Sequence, residues 1–304
     1  VESTTEGTAT MLQIQNVEKR YGDRLVLRDV NFTVPRARMT GFVGGNGAGK
    51  TTTMRIILGV LASDGGTVLL DGQPLTADDR RRFGYMPEER GLYPKMKVAE
   101  QLVYLARLHG LSAAAASRNT DALLDRLGLG ERSGDLVESL SLGNQQRAQI
   151  AAALVHDPEV LVLDEPFSGL DPLAVDVVVG VLRDYAASGA PVLFSSHQLD
   201  IVERLCDELV IIADGEVKVS GGTDELRREH GGGRYELLVS GDAGWLRGLD
   251  GVTVLDFDGG YALFESDDAT AQAVLKRATA DGGVVSFGPQ NPSLAQIFRE
   301  AIGK

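Results

Sequence analysis

The chain has 304 residues, 43% hydrophobic and 24% charged, enough for two domains with real cores. A formal net charge of −13 argues against an open nucleic-acid or anionic-membrane surface, and a single cysteine excludes an internal disulfide framework. No run of about 18 apolar residues occurs, so a bilayer span of its own is not expected.

The opening VESTTEGTAT is polar and lacks a basic segment followed by an apolar one. It reads as a disordered tail over residues 1–10, not as a secretory signal. MLQIQNVEKR then reads as a strand. RLVLRDVNFTV reads as a strand pair after a turn at Tyr21-Gly22-Asp23. MTGFV is a short apolar strand, and residues 51–61 have helical periodicity with Met54, Ile57 and Leu58 on one face. GGTVLLDGQPL reads as a strand with a turn at Asp71-Gly72. Residues 78–130 are richer in charge, alanine and leucine and read as a mostly helical insert. Helices are expected at 144–156, 173–187 and 198–205, strands at EVLVLDE and APVLFSS, and a strand pair at ELVIIADGEVKVS. Strands alternating with helices make an α/β domain. HGGGR reads as a linker, after which RYELLVS, VTVLDFD, YALFES, a helix at 270–280, GVVSF and a helix at 293–301 make a small α+β domain.

The chemistry concentrates in GFVGGNGAGKTT, where five glycines fall within residues 41–49. Gly44-Gly45-Asn46-Gly47-Ala48-Gly49-Lys50-Thr51 satisfies G-x-x-x-x-G-K-[ST] between a strand and a helix. Glycines let backbone N–H groups converge on an anion, and the helix start adds its partial positive charge. Lys50 reaches terminal phosphates; Thr51 suits Mg²⁺, with Thr52 beside it. Asp164 and Glu165 end a buried apolar strand, where active groups of α/β sheets gather. Asp164 suits Mg²⁺ and Glu165 suits activation of a water; the alternative is a pair of helix-capping acids. His197, after LFSS, either positions a water at a phosphate or caps a helix. One cysteine and four scattered histidines do not make a zinc site.

The order of the phosphate loop, LSLGNQQR, LVLDEPFSGLDP and FSSHQ resembles the ATPase subunit of ATP-binding cassette (ABC) transporters across residues 11–225. That resemblance implies a RecA-like P-loop NTPase core with an antiparallel β subdomain and a helical insert at about 85–155 facing a membrane permease. It implies ATP and Mg²⁺ as ligands, and a second cassette, identical or paralogous, closing head-to-tail. Gly44, Asn46, Gly47, Ala48, Gly49, Lys50, Thr51 and Thr52 would bind ATP, with Tyr21 stacked on adenine unless it is a surface turn tyrosine. Thr51, Asp164 and Glu88 would surround Mg²⁺, and Glu165, His197 and Glu88 would serve catalysis. Ser141, Gly143 and Asn144 would touch the partner's ATP, and Ser168 and Asp171 would face the dimer seam. Departures are Glu88, where the family usually has glutamine, and Leu142 and Asn144, where glycine and glutamine are common. An ionised Glu88 accepts hydrogen bonds only, so a working site sensitive to pH or Mg²⁺ is expected.

GYMPEERGLYPKM and a tail containing PSLAQIF resemble the exporter branch that includes bacterial drug-resistance and sodium-efflux ATPases. This implies a peripheral place on the inner membrane face, through a separate permease and without nucleic acid. The alternative is a soluble ATPase switch on ribosomes or DNA, disfavoured by a single cassette without coiled-coil heptads. The domain expected at 232–304 carries no catalytic set. It is expected to support dimer or permease contacts. Trp245 reads as a small-core anchor, and Asp256, Asp258, Glu265, Asp267 and Asp268 read as a solvated face or, alternatively, a divalent-ion or regulatory site.

Overall fold

The computed structural model describes residues 11–231, 233–281, 283–290 and 292–303. The tail expected at 1–10, and Gly232 of the expected linker, lie outside the described residues. The chain divides into two compact units, residues 1–222 and 223–304.

The first unit runs β1 (Met11–Tyr21), β2 (Arg24–Pro35), β3 (Met39–Val43), α1 (Lys50–Ile57), β4 (Gly65–Leu70), β5 (Gln73–Pro74), α2 (Ala77–Arg80), β6 (Phe83–Met86), α3 (Val98–Leu108), α4 (Ala113–Arg126), α5 (Leu142–Leu154), β7 (Val160–Leu163), α6 (Pro172–Ala187), β8 (Val192–Ser196), α7 (Leu199–Leu205), β9 (Glu208–Ala213) and β10 (Glu216–Gly222). β2-β1-β4-β5 form an antiparallel sheet. β10-β9-β3-β8-β7-β6 form the central sheet, parallel throughout except for the edge strand β10. Every residue of β3, β7 and β8 is buried, as continuous apolar strands of a covered parallel sheet require. Phe32 of β2 meets Phe42 of β3 with ring centroids 5.1 Å apart, joining the two sheets in one core with Met54 and Ile57 of α1.

Three expectations change. RLVLRDVNFTV lies in one twelve-residue strand ending at Pro35, because it pairs with β1 along its length through bulges near Val17 and Lys19. α1 stops at Ile57, where the chain turns toward Gly59 at φ +71°. Phe83–Met86, read from sequence as part of the helical insert at 78–130, form β6, paired in parallel with β7. α3, α4 and α5 pack on one another around Leu102, Ala106 and Leu124.

Two of the four histidines, read as scattered, stack with centroids 3.7 Å apart. His109 Nδ1 meets the Arg81 carbonyl at 3.0 Å, and His156 Nε2 meets that of Phe83 at 3.1 Å. Burial, then the His109 ring, pushes His156 down to about 4, so it stays neutral near pH 7.

The second unit comprises α8 (Thr223–His230), β11 (Arg234–Val239), β12 (Thr253–Asp258), β13 (Tyr261–Glu265), α9 (Asp268–Asp281), β14 (Val284–Pro289) and α10 (Leu294–Ile302). Its antiparallel sheet has the order β12-β13-β11-β14. Leu237, Phe264, Leu246 and Val274 make the core, with Trp245 packed against it and the Arg277 guanidinium 4.5 Å from the indole centroid. Two of the acids have local tasks: Asp267 accepts the Thr270 N–H at 2.7 Å at the start of α9, and Glu265 pairs with Arg234 at 3.0 Å.

Candidate nucleotide site

Strand register brings the site together. Val43 pairs with Ser196, Leu163 with Phe194, and Met86 with Leu163. The residues that follow β3, β6, β7 and β8 therefore emerge side by side at the carboxyl edge of one sheet, where such folds bind ligands.

The glycine loop leaves β3 and enters α1. Gly49 caps that helix at φ +112° with no side-chain cap bond, so the cap residue leaves the first-turn amides open. A Cβ at Gly49 would lie 2.5 Å from Leu27 Cδ2, and one at Gly44 2.4 Å from the Ile212 carbonyl oxygen. At Gly49 the left-handed backbone requires glycine, and at Gly44 the fixed carbonyl leaves no room for a Cβ. Lys50 folds across the loop, its Nζ donating to the carbonyls of Gly44 at 2.7 Å and Gly45 at 3.2 Å.

Asp164 is 1% exposed. Its Oδ2 accepts the Thr51 hydroxyl at 2.9 Å, and its Oδ1 accepts the Ser195 hydroxyl at 2.6 Å. Glu165 sits at φ +52°, a left-handed conformation that costs a non-glycine residue about 1–2 kcal/mol. Three polar groups hold it there. Its N–H donates to Ser195 Oγ at 2.8 Å, its carbonyl accepts Gln146 Nε2 at 3.1 Å, and its Oε2 lies 2.9 Å from His197 Nδ1. Gln146 Nε2 also donates to the Pro166 carbonyl at 3.0 Å. One turn along α5, Gln149 Nε2 donates to the carbonyls of Pro87 at 2.7 Å and Glu89 at 3.2 Å, bracing the loop that carries Glu88.

A cavity of about 460 Å³ opens over this edge, lined by Asn46, Gly47, Ala48, Gly49, Lys50, Thr51, Thr52, Glu88, Asp164 and Glu165, together with Gly45, Arg24 and Val26. Gly44 contributes the carbonyl that holds Lys50, and His197 joins through Glu165. Tyr21 is not in the lining; it is 52% exposed at the end of β1, paired with Arg24, which is. Ser141, Gly143 and Asn144 are also outside the cavity. Ser141 caps α5, accepting the Asn144 N–H at 3.3 Å, and Asn144 Oδ1 accepts from Arg147, which is anchored on the Leu127 carbonyl at 2.7 Å. A Cβ at Gly143 would meet the Gly169 carbonyl oxygen at 3.5 Å, so this segment adjoins the 168–171 loop, where Asp171 caps α6 through the Ala174 N–H at 2.8 Å.

Sequence reading missed Arg24, Gln146, Gln149 and Ser195. Only Ser195 had a local signal, as a hydroxyl near the end of a strand two residues before His197.

A phosphate-binding loop and a strand-end acid pair facing one cavity on a RecA-like sheet define a P-loop nucleoside triphosphatase. Residues 27–168 match the ABC transporter family, and residues 221–302 match the family described as ATP-binding protein DrrA1-3-like, C-terminal domain. The uncharacterized ABC transporter ATP-binding protein YhaQ of Bacillus subtilis is 38% identical over 294 residues, 96% of this chain and 99% of its own. The linearmycin resistance ATP-binding protein LnrL of Bacillus subtilis is 31% identical, covering 97% of this chain and 99% of its own. A solved structure of an ATP binding subunit of an ABC transporter aligns at a TM-score of 0.67 and 36% identity, over 73% of this chain and 93% of that one. The chain belongs to the ABC transporter ATP-binding subunits, with an accessory C-terminal domain, and it binds and hydrolyses ATP.

Proposed function

We propose that this subunit drives export through a separate membrane permease, as one of two cassettes, from a peripheral position on the inner membrane face. The observation that carries the engine is the single cavity in which Lys50, Thr51, Asp164 and Glu165 converge. No described helix is long and apolar enough to cross a membrane, which supports a partner as the source of the spans. LnrL is named for resistance to linearmycin, and a relative from Burkholderia lata, 40% identical over 71% of this chain, is named for Nod factor export. Ser141, Gly143 and Asn144 lie outside their own cavity, which supports their facing a second cassette's ATP beside Ser168 and Asp171. The catalytic domain is assigned to about residues 11–225, with the helical insert facing the permease, and the accessory domain to about 232–304. Tyr21 is assigned to the adenine.

Mg²⁺ fits the donor set. Among the described residues no three acidic, histidine or cysteine side chains form a metal cage. Mg²⁺ does not need one: it is held by one or two protein oxygens plus substrate phosphates. Thr51 and Asp164 supply hard oxygen donors, with Glu88 in the same lining. When bound there, Mg²⁺ would offset charge on the terminal phosphates. The loop amides and Lys50 bind the phosphates, Glu165 accepts the proton of the attacking water, and His197 orients Glu165 and faces the γ-phosphate.

Glu88→Gln is expected to raise the Mg²⁺ concentration for half-maximal hydrolysis about three- to tenfold, the size of one partly screened charge contact. An unchanged Mg²⁺ titration would remove Glu88 from the ion's surroundings. The export reading is tested by expressing tagged Glu165→Gln protein in its native cell, solubilising membranes gently and identifying what co-purifies with ATP. A stoichiometric integral membrane protein is expected; ribosomes or DNA in its place would overturn the reading.

A further inference from the structure

We infer that Ser195 is a positioning residue for ATP hydrolysis, its one hydroxyl fixing the carboxylate of Asp164 and the backbone of Glu165 together. This rests on the roles proposed above for those two acids.

Ser195 is fully buried in β8. A serine hydroxyl has one proton to donate and lone pairs to accept with. Here both functions are used at short range: the proton goes to Asp164 Oδ1 at 2.6 Å, and a lone pair takes the Glu165 N–H at 2.8 Å. The result is a directed chain from amide to hydroxyl to carboxylate. A charged terminal acceptor strengthens such a chain, and each link polarises the next. His197 follows β8 directly, two residues after Ser195, and its Nδ1 lies 2.9 Å from Glu165 Oε2. β8 and the residue after it thus hold Glu165 at two points, Ser195 on its backbone and His197 on its side chain. Ser196 between them serves α7, its Oγ accepting the Gln198 N–H at 3.0 Å.

Asp164 has one oxygen on Thr51 and the other on Ser195, so the carboxylate cannot rotate without breaking a bond. Without the Ser195 hydroxyl, Oδ1 loses its partner and the amide of a left-handed Glu165 is released. Both consequences fall on ion binding and the chemical step. The contacts of Lys50 within the phosphate loop do not involve Ser195.

The test uses the purified full chain. Mn²⁺ affinity in the presence of a non-hydrolysable ATP analogue is read by electron paramagnetic resonance, ATP-analogue affinity is read without divalent ion, and kcat is read against Mg²⁺. Ser195→Ala is expected to weaken Mn²⁺ binding about tenfold and lower kcat about 10–100-fold, the effect of losing a hydrogen bond to a charged group. Ion-free nucleotide affinity should stay within about twofold. Thr40→Val is the control: Thr40 lies on neighbouring β3, is equally buried, and its hydroxyl has no hydrogen-bond partner among the described residues. Ser195→Cys, of similar shape with a weak donor, replaces the alanine variant if that does not fold and should fall between it and wild type. Ser195→Ala matching wild type in Mn²⁺ affinity and kcat would overturn the inference, as would equal losses in Thr40→Val. If Asp164→Asn and Glu165→Gln themselves left hydrolysis intact, the inference would fall together with the roles beneath it.

Discussion

Glu165→Gln is expected to lower the ATPase kcat by about 10²–10⁴-fold while ATP binding is retained. The substitution keeps shape and length, so the left-handed backbone, held through the Glu165 N–H and carbonyl, keeps its bonds to Ser195 and Gln146. It removes the negative charge that accepts a proton from water. The contact with His197 Nδ1 persists with an amide in place of a carboxylate, at a position only 11% exposed. A phosphate-release assay beside equilibrium binding of an ATP analogue separates the two effects. Loss of binding in step with hydrolysis would make Glu165 a structural acid and leave the water without an assigned base.

Lys50→Ala is expected to fail earlier, at binding. The ammonium has three donors, and two rest on the Gly44 and Gly45 carbonyls. Polyphosphate is a stronger acceptor than either carbonyl, and each charge-assisted bond to it is worth about 1.5–3 kcal/mol. Losing two weakens ATP binding by about 10²–10⁴-fold. Arginine should not restore it, because a planar fork is bulkier than a point charge in a loop this tight. Titration of a fluorescent ATP analogue checks both variants. Wild-type affinity in Lys50→Ala would mean that the loop amides alone hold the phosphates and the lysine acts later.

What could be read from the sequence was local or followed a short spacing. The phosphate loop declares itself because consecutive backbone amides must converge, which forces glycine at fixed intervals. The acid pair stands out because two carboxylates follow four buried apolar residues. Ser195 escaped because its role depends on β8 lying beside β7, a pairing that spans 31 positions. Gln146 and Gln149 carry no pattern that marks them in the helix expected at 144–156; packing turns both inward to 4% exposure. β6 was hidden for a different reason. Four residues between RRR and PEER carry too little pattern to be told from the charged segment around them, and only the vacant edge of β7 makes them a strand.

The two glutamines of α5 also bear on chimeras. Each holds two carbonyls of a different loop, one pair around Glu88 and one at Glu165-Pro166. The loops are distant in sequence and share a single scaffold. A swap that brings in a relative's Pro87–Glu89 loop and leaves the native α5 would set new carbonyls against an unchanged pair of amides, and the mismatch would propagate to the other loop through the helix. Exchangeable units in this protein are therefore set by the hydrogen bonds of α5, and a workable graft carries helix and loop together.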